Sequence, residues 1–218
     1  MTWDEIWPLL WKATGETVYM TGVAALFTVV FGLAIGVLLI LTDAGGLRPA
    51  RPVNKVLGAV VNVGRSLPFL ILMVAIIPFT KLVAGTSYGN SAAIVPLTVG
   101  AIPFYARLVE AALREVDPGV IAAARAMGAS LREIVVKVLL REARPGLVSG
   151  LTVTVIALVG YTAMAGTVGA GGLGYLAISY GYERFETKVM IATVVVLIAL
   201  VQLVQMAGDV AARRLGHR

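Results

Sequence analysis

The sequence predicts an all-α polytopic membrane protein with five transmembrane helices. Three observations point to it. Hydrophobic residues make up 59% of the 218 positions and charged residues only 14%, where a soluble domain carries nearer a quarter charged. The charges leave long gaps, since 17–42, 66–80, 82–106, 145–182 and 189–208 contain no Asp, Glu, Lys or Arg. These windows are continuously apolar where barrel strands would alternate, and several reach the roughly 20 residues that cross about 30 Å of hydrocarbon.

The expected spans are 14–42, 57–80, 89–111, 145–166 and 188–209. The first follows MTWDEIWPLLWKATGE, which opens with Asp4 and Glu5 and so does not read as a cleavable signal. Trp3, Trp7 and Trp11 precede it as an interfacial anchor. Pro68, Pro78, Pro96 and Pro103 fall in or near the second and third spans and are expected to kink them. Gly32 and Gly36, like Gly146 and Gly150, are small-xxx-small pairs that allow close helix approach, within the chain or between two copies. The absence of cysteine excludes disulfide staples and Cys-ligated zinc.

Sidedness follows from the basic residues. With the N-terminus outside, the inner connectors and span ends carry Arg48, Arg51, Lys55, Arg65, Arg107, Arg114, Arg125, Arg132, Lys137, Arg141, Arg144, Arg213, Arg214 and Arg218, leaving Lys12, Lys81, Arg184 and Lys188 outside. That asymmetry satisfies the positive-inside rule and places the C-terminus and the long connector 112–144 in the cytoplasm. The positive charge is divided among short connectors, so it argues against a nucleic-acid partner.

The connector is locally well specified. Asp117 before Pro118 is an N-cap with proline at the first helical position. A helix over 118–127, about 15 Å long, closes at Gly128. Ser130 and Glu133 form a potential capping box for a second helix running through Ile134, Val135, Val138 and Leu139 toward Pro145. Ala122, Ala123, Ala124 and Ala126 keep the first helix small enough for a partner to approach closely, and Arg125 offers a guanidinium. A docking surface suits this punctuation better than an interfacial loop, because a glycine between two capped helices fixes an angle that lipid does not demand. A bulky residue at Gly128 is expected to obstruct the turn.

AAARAMG at 122–128 with Val138, Leu139, Leu140 and Arg141 resembles the EAA signature of binding-protein-dependent ABC importer permeases. Ala122 stands where that family has Glu, Val138 where it has Ile, and Arg141 where it has Pro; the glycine and the spacing to Leu140 are kept. The resemblance extends through GRSLPF at 64–69, IPFTKLVAGTSYG at 77–89, AAIVPLTVGAIPFYARLVE at 92–110, LVGYTAMAGTVGAGGLG at 158–174 and QMAGDVAARR at 205–214. These stretches are similar to the membrane subunits of bacterial methionine importers. The resemblance implies a type I ABC importer permease fold over 1–218, a single transmembrane domain containing a cytoplasmic coupling helix between the third and fourth spans. It implies a homodimer in the bacterial inner membrane, a cytoplasmic ABC ATPase dimer that binds ATP and Mg²⁺, and an extracytoplasmic methionine-binding lipoprotein. Ala122, Ala123, Ala124, Arg125, Ala126, Met127 and Gly128 are then the ATPase-coupling residues, and Tyr161, Thr162 and Met164 the residues at or beside the gate. L-methionine and D-methionine are the implied substrates, with another amino acid as the alternative.

Other readings fare worse. Gly169, Gly171 and Gly174 match G-x-G-x-x-G, but no strand precedes them and they lie on the outer side, where packing near the outer mouth is the expected role. No G-x-x-x-x-G-K-[ST] stretch is present, so ATP belongs to another polypeptide and this chain binds no cofactor or metal of its own. His217 is expected to be solvated, and no charged constellation offers an enzyme active site. A secondary transporter or channel would hold an ionisable residue or polar filter at mid-membrane, whereas these spans offer mainly hydroxyls and amides such as Asn62, Ser66, Thr98, Thr152 and Thr154.

Overall fold

The computed structural model describes residues 1–216, so His217 lies outside the described residues. Long helices form where the apolar windows stand: α1 (Trp3–Thr42), α5 (Asn90–Arg114), α9 (Arg144–Gly166) and α11 (Thr187–Gly216). Between them lie α2 (Arg51–Ser66), α3 (Phe69–Ala75), α4 (Ile77–Ala84), α6 (Pro118–Ala126), α7 (Leu131–Glu133), α8 (Leu140–Glu142) and α10 (Gly172–Leu176). The architecture is all-α and multi-span: among the described residues four helices are long and apolar enough to cross a bilayer, or five where the bent pair of α2 and α3 counts as one span.

That bent pair corrects the expected second span. The window 57–80 is not one helix: α2 and α3 meet at 105°. Leu67 sits before Pro68 and takes an extended conformation (φ −81°, ψ 126°), as the ring of a following proline demands. α4 then starts with Pro78 in its first turn, where the missing donor costs nothing. By contrast α5 runs unbroken through Pro96 and Pro103. The start of α1 is also earlier than the apolar window indicates. The Glu5 carboxylate accepts the Thr2 N–H at 2.8 Å, so the helix includes all three tryptophans, each exposed along its side. Its 40 residues make a rod of about 60 Å, twice the hydrocarbon thickness.

α5 is the hub, and glycine sets its contacts. Along α1, Met20, Ala24, Thr28, Gly32 and Gly36 recur every fourth residue on the buried face. A Cβ on Gly32 would lie 2.9 Å from Tyr105, and one on Gly36 would lie 2.5 Å from Val109 and 2.8 Å from the Ala106 carbonyl oxygen. Gly146 is seated on Ala112 and Gly150 on Leu108 in the same way. Both small-residue pairs are therefore used inside the chain, α1 on α5 and α9 on α5.

The two ends of the bundle are held by different contacts. Asp43 after α1 meets Arg114 at the end of α5, while at the opposite end the Gly89 N–H donates to the Gly169 carbonyl and the N-terminal ammonium pairs with Glu186. The chain thus passes from one end to the other over 51–84 despite the bend. Outward faces such as Leu26, Phe27, Val30 and Phe31 on α1, and Val194, Val195 and Ile198 on α11, are apolar and exposed, which suits a multi-pass membrane protein.

Candidate functional site

At the basic end, the connector folds into an elbow. The Asp117 carboxylate accepts the Gly119 N–H at 2.7 Å and caps α6. Gly128 follows with φ +79°, and the Ala129 N–H returns to the Ala124 carbonyl at 3.1 Å, closing the helix in the manner of a left-handed C-terminal cap. A Cβ on Gly128 would meet nothing within 4 Å. The expected obstruction by a bulky residue is thus corrected: glycine is needed here for its backbone conformation, and the space beside it is open.

The second helix is anchored as the capping box requires. Ser130 and Glu133 bond reciprocally, and Lys137 donates to Glu133 at 2.8 Å. The Lys137 ammonium first, and then the Ser130 backbone and hydroxyl donors, bring the Glu133 carboxyl down to about 2. In place of an uninterrupted helix, the chain makes α7, a π-helical stretch Ile134–Leu139 and α8, and stops at Ala143 one residue before α9. Ile134 and Leu139, five residues apart across the wider turn, are both buried in the cluster that also holds Ala124, Leu113 and Val116.

The residues 122–128 do not share one face. Ala124 is 5% exposed and packs with Ile134 and Leu139, so it fastens α6 to its own chain. Ala122, Ala123, Arg125, Ala126 and Met127 are exposed, Met127 at 81%. Three alanines beside a protruding thioether make a low surface with one knob. Behind it, a cleft of about 690 Å³ is lined by Asp43, Gly46, Arg114, Ile121, Ala122 and Arg125 among others.

A charge network that the sequence reading missed lies alongside. Glu110 is 5% exposed and takes Arg107 on one carboxylate oxygen and Arg114 on the other. Arg107 also donates to Asn62 Oδ1 at 2.9 Å and to the Gly58 carbonyl at 3.4 Å on α2. Arg114 reaches Asp43 at 2.7 Å. The Ala44 N–H first, and then Arg114, lower the Asp43 carboxyl below its ordinary value. Of the four charges only Glu110 is buried, and it is paired on both oxygens, as a buried charge must be. Their only sequence signal is the R-x-x-E-x-x-x-R spacing on α5, which puts the three on one helix face.

Further along the bundle, the Tyr161 ring stacks on Phe69 of α3 with centroids 4.4 Å apart and 6° between planes. Met164, one turn on, is 47% exposed on the chain's outer surface. Thr162 is not with them: it is 1% exposed and its hydroxyl donates to the Val159 carbonyl at 2.7 Å, so it faces the chain's own interior. The structure brings Tyr161 and Met164 to one face and turns Thr162 away.

At the opposite end the glycine-rich turn is pinned by side-chain acceptors. Asn90 takes the Gly171 N–H, Glu16 the Gly172 N–H and Thr17 the Leu173 N–H, at 2.7–2.9 Å. Gly169 and Gly172 have positive φ, and Gly174 lies on the backbone of Ala163 with no room for a Cβ. Among the described residues, no three His, Cys, Asp or Glu side chains gather where they could hold a metal.

Comparison with known proteins gives the chain's relatives. Residues 32–217 match the model of the family described as binding-protein-dependent transport system inner membrane component. The chain is 54% identical over 210 residues to the probable D-methionine transport system permease protein MetI of Vibrio cholerae serotype O1, covering 96% of this chain and 93% of that one. It is 49% identical over 200 residues to the methionine import system permease protein MetP of Bacillus subtilis, covering 92% and 90%. Its fold superposes on a chain of the MetNI methionine ABC transporter in an inward-facing conformation with TM-score 0.96 and 50% identity, over 99% of both chains. An amino acid ABC transporter at 19% identity shares the fold, with TM-score 0.79.

Proposed function

This chain belongs to the binding-protein-dependent transport system inner membrane component family, and from that membership we propose that it is the permease subunit of an ATP-driven importer that carries L- and D-methionine into the cytoplasm. It is a transport subunit and not a catalytic enzyme. The observation that carries the reading is agreement along the whole chain with permeases named for methionine, joined by an exposed, small-faced helix at the basic end.

In the working complex two copies of this chain enclose a path, and a cytoplasmic ATPase dimer binds ATP and Mg²⁺ below. A methionine-binding lipoprotein delivers substrate from outside. The N-terminus is outside and the C-terminus cytoplasmic. α6 is the coupling helix: Ala122, Ala123 and Ala126 allow close approach, Met127 fills a hollow in the ATPase, Arg125 meets a carboxylate or carbonyl, and Ala124 and Gly128 hold the helix at its angle. The departures Ala122 and Arg141 leave this intact, since fit in a groove depends on shape and apolar area more than on one carboxylate. Tyr161 and Met164 face the two-fold axis, where a flexible thioether seals against its mate and yields to a passing side chain; Thr162 supports them from behind.

Liposomes holding this permease, its copurified ATPase and its cognate binding protein test the reading. ATP-dependent accumulation of labelled L-methionine, competed by D-methionine and not by glutamine or histidine, is expected. Accumulation of a different amino acid overturns the substrate, and purification without an ATPase overturns the importer. Met164→Cys, in a chain with no natural cysteine, should cross-link two copies in a nucleotide-dependent way. Equal labelling in every nucleotide state refutes the axial gate.

A further inference from the structure

The coupling face lies on α6 and the Tyr161–Met164 surface on α9, and resting on the importer reading we infer that Glu110 of α5 is the positioning residue that carries motion between them. Four observations connect the path. Arg114, held by Glu110, fixes Asp43, and both line the cleft behind Ala122 and Arg125 of α6. Arg107, held by the other Glu110 oxygen, grips Asn62 and the Gly58 carbonyl on α2. α2 turns through 105° into α3. The first residue of α3, Phe69, is the ring on which Tyr161 stacks.

The chemistry suits transmission more than static support. A carboxylate shared by two arginines holds both guanidiniums in register, so a shift of the Asp43 turn at one end reaches Asn62 at the other through a single buried group. Contacts of this kind reform in a second arrangement without a side chain being rebuilt, as interface ion pairs do when elements rotate past one another. α2 is poised to respond. A Cβ on its Gly64 would lie 2.9 Å from Pro103, while one on Gly58, further toward the start of α2, would meet only the Arg107 guanidinium at 3.6 Å. The inner half of α2 meets α5 through Arg107 and Ala106, and meets α1 through Leu39, which packs with Val61 and Leu57 and whose carbonyl accepts from Asn54.

The test measures amino acid imported per ATP hydrolysed, with the whole complex in liposomes. A merely structural defect lowers import and hydrolysis together; a transmission defect lowers their ratio. Glu110→Gln keeps the shape and removes the charge, and should cut the ratio about tenfold, within the range for residues that modulate coupling without touching either ligand. Asn62→Leu, at an exposed position, should act in the same direction and decides the matter should Glu110→Gln not assemble. Asn62→Asp, which still offers Arg107 an acceptor, should keep the wild-type ratio. An unchanged ratio in Glu110→Gln and Asn62→Leu, or parallel loss of import and hydrolysis, overturns the inference and leaves the importer standing. A wild-type complex that neither binds an ATPase nor imports overturns both.

Discussion

Substituting Gly128 separates two explanations for glycine at the elbow. The residue has φ +79°, and a Cβ there would meet no atom within 4 Å, so the cost of a side chain is conformational and nearly independent of its size. For an L-residue the left-handed region costs about 1–2 kcal/mol, which corresponds to a factor of about 5 to 30 in the population of the formed elbow. Asparagine tolerates this region and should lose least; alanine and leucine should lose similar amounts, and valine, whose branched Cβ crowds its own backbone, should lose most. The assay is substrate-stimulated ATP hydrolysis by reconstituted complexes, with ATPase content of the purified complex measured alongside. The expected order is Gly, Asn, Ala with Leu, then Val. An order that follows volume, with Ala best and Leu worst, refutes the conformational account, and full activity in all four refutes any need for the elbow.

Three further outcomes follow from local geometry. Glu133 should titrate at about 2; because its folded value is depressed below the ordinary 4.5, its capping contribution is complete above that ordinary value and fades only as pH falls toward about 2. Carboxyl ¹³C shifts that show Glu133 protonated at pH 4 contradict this. Gly36→Leu drives a side chain into Val109 and the Ala106 carbonyl, with an overpacking cost of about 1–3 kcal/mol; an unchanged melting temperature in detergent rules that out. Phe69→Leu and Tyr161→Leu should show a coupling of about 0.5–1.5 kcal/mol in a double-mutant cycle on stability, and strict additivity denies the stack.

The four long spans were legible because their apolar runs continue past the length of a crossing, and the elbow because Asp117–Pro118, Gly128 and Ser130–Glu133 are local signals. Direction was not legible. Pro68 marks where α2 ends, but hydropathy carries no angle, so a 105° bend and a straight helix look alike over 57–80. The early start of α1 was hidden because residues 3–16 mix charge with tryptophan and make no apolar run. The glycine pairs announced close contact without naming the partner, since spacing on one helix says nothing about which helix lies against it. The charge network was least accessible: Arg107 meets Asn62 across 45 positions and Arg114 meets Asp43 across 71, and only the fold brings them together.

The kinds of contact divide the molecule into parts that should move differently. Where α1, α5 and α9 meet, glycine admits a neighbouring side chain or carbonyl that a Cβ would exclude, at Gly32, Gly36, Gly146 and Gly150. Such contacts have one good register, because sliding either helix brings a side chain where only hydrogen fits. α11 joins the same body through Gly208 on Thr152 of α9. The links to the coupling helix and to the bent pair are of another sort: an alanine and two branched residues at Ala124, Ile134 and Leu139, an aromatic stack at Phe69, and guanidiniums at Arg107 and Arg114. These can tilt or exchange partners at modest cost, so displacement at α6 should pass into α2 and α3 across a body that stays rigid. A Cys pair locking α1 to α5 should therefore leave transport intact, whereas one locking α2 to α5 near Asn62 and Arg107 should stop import while ATP hydrolysis continues. Import surviving the second lock would place the moving boundary elsewhere in the bundle.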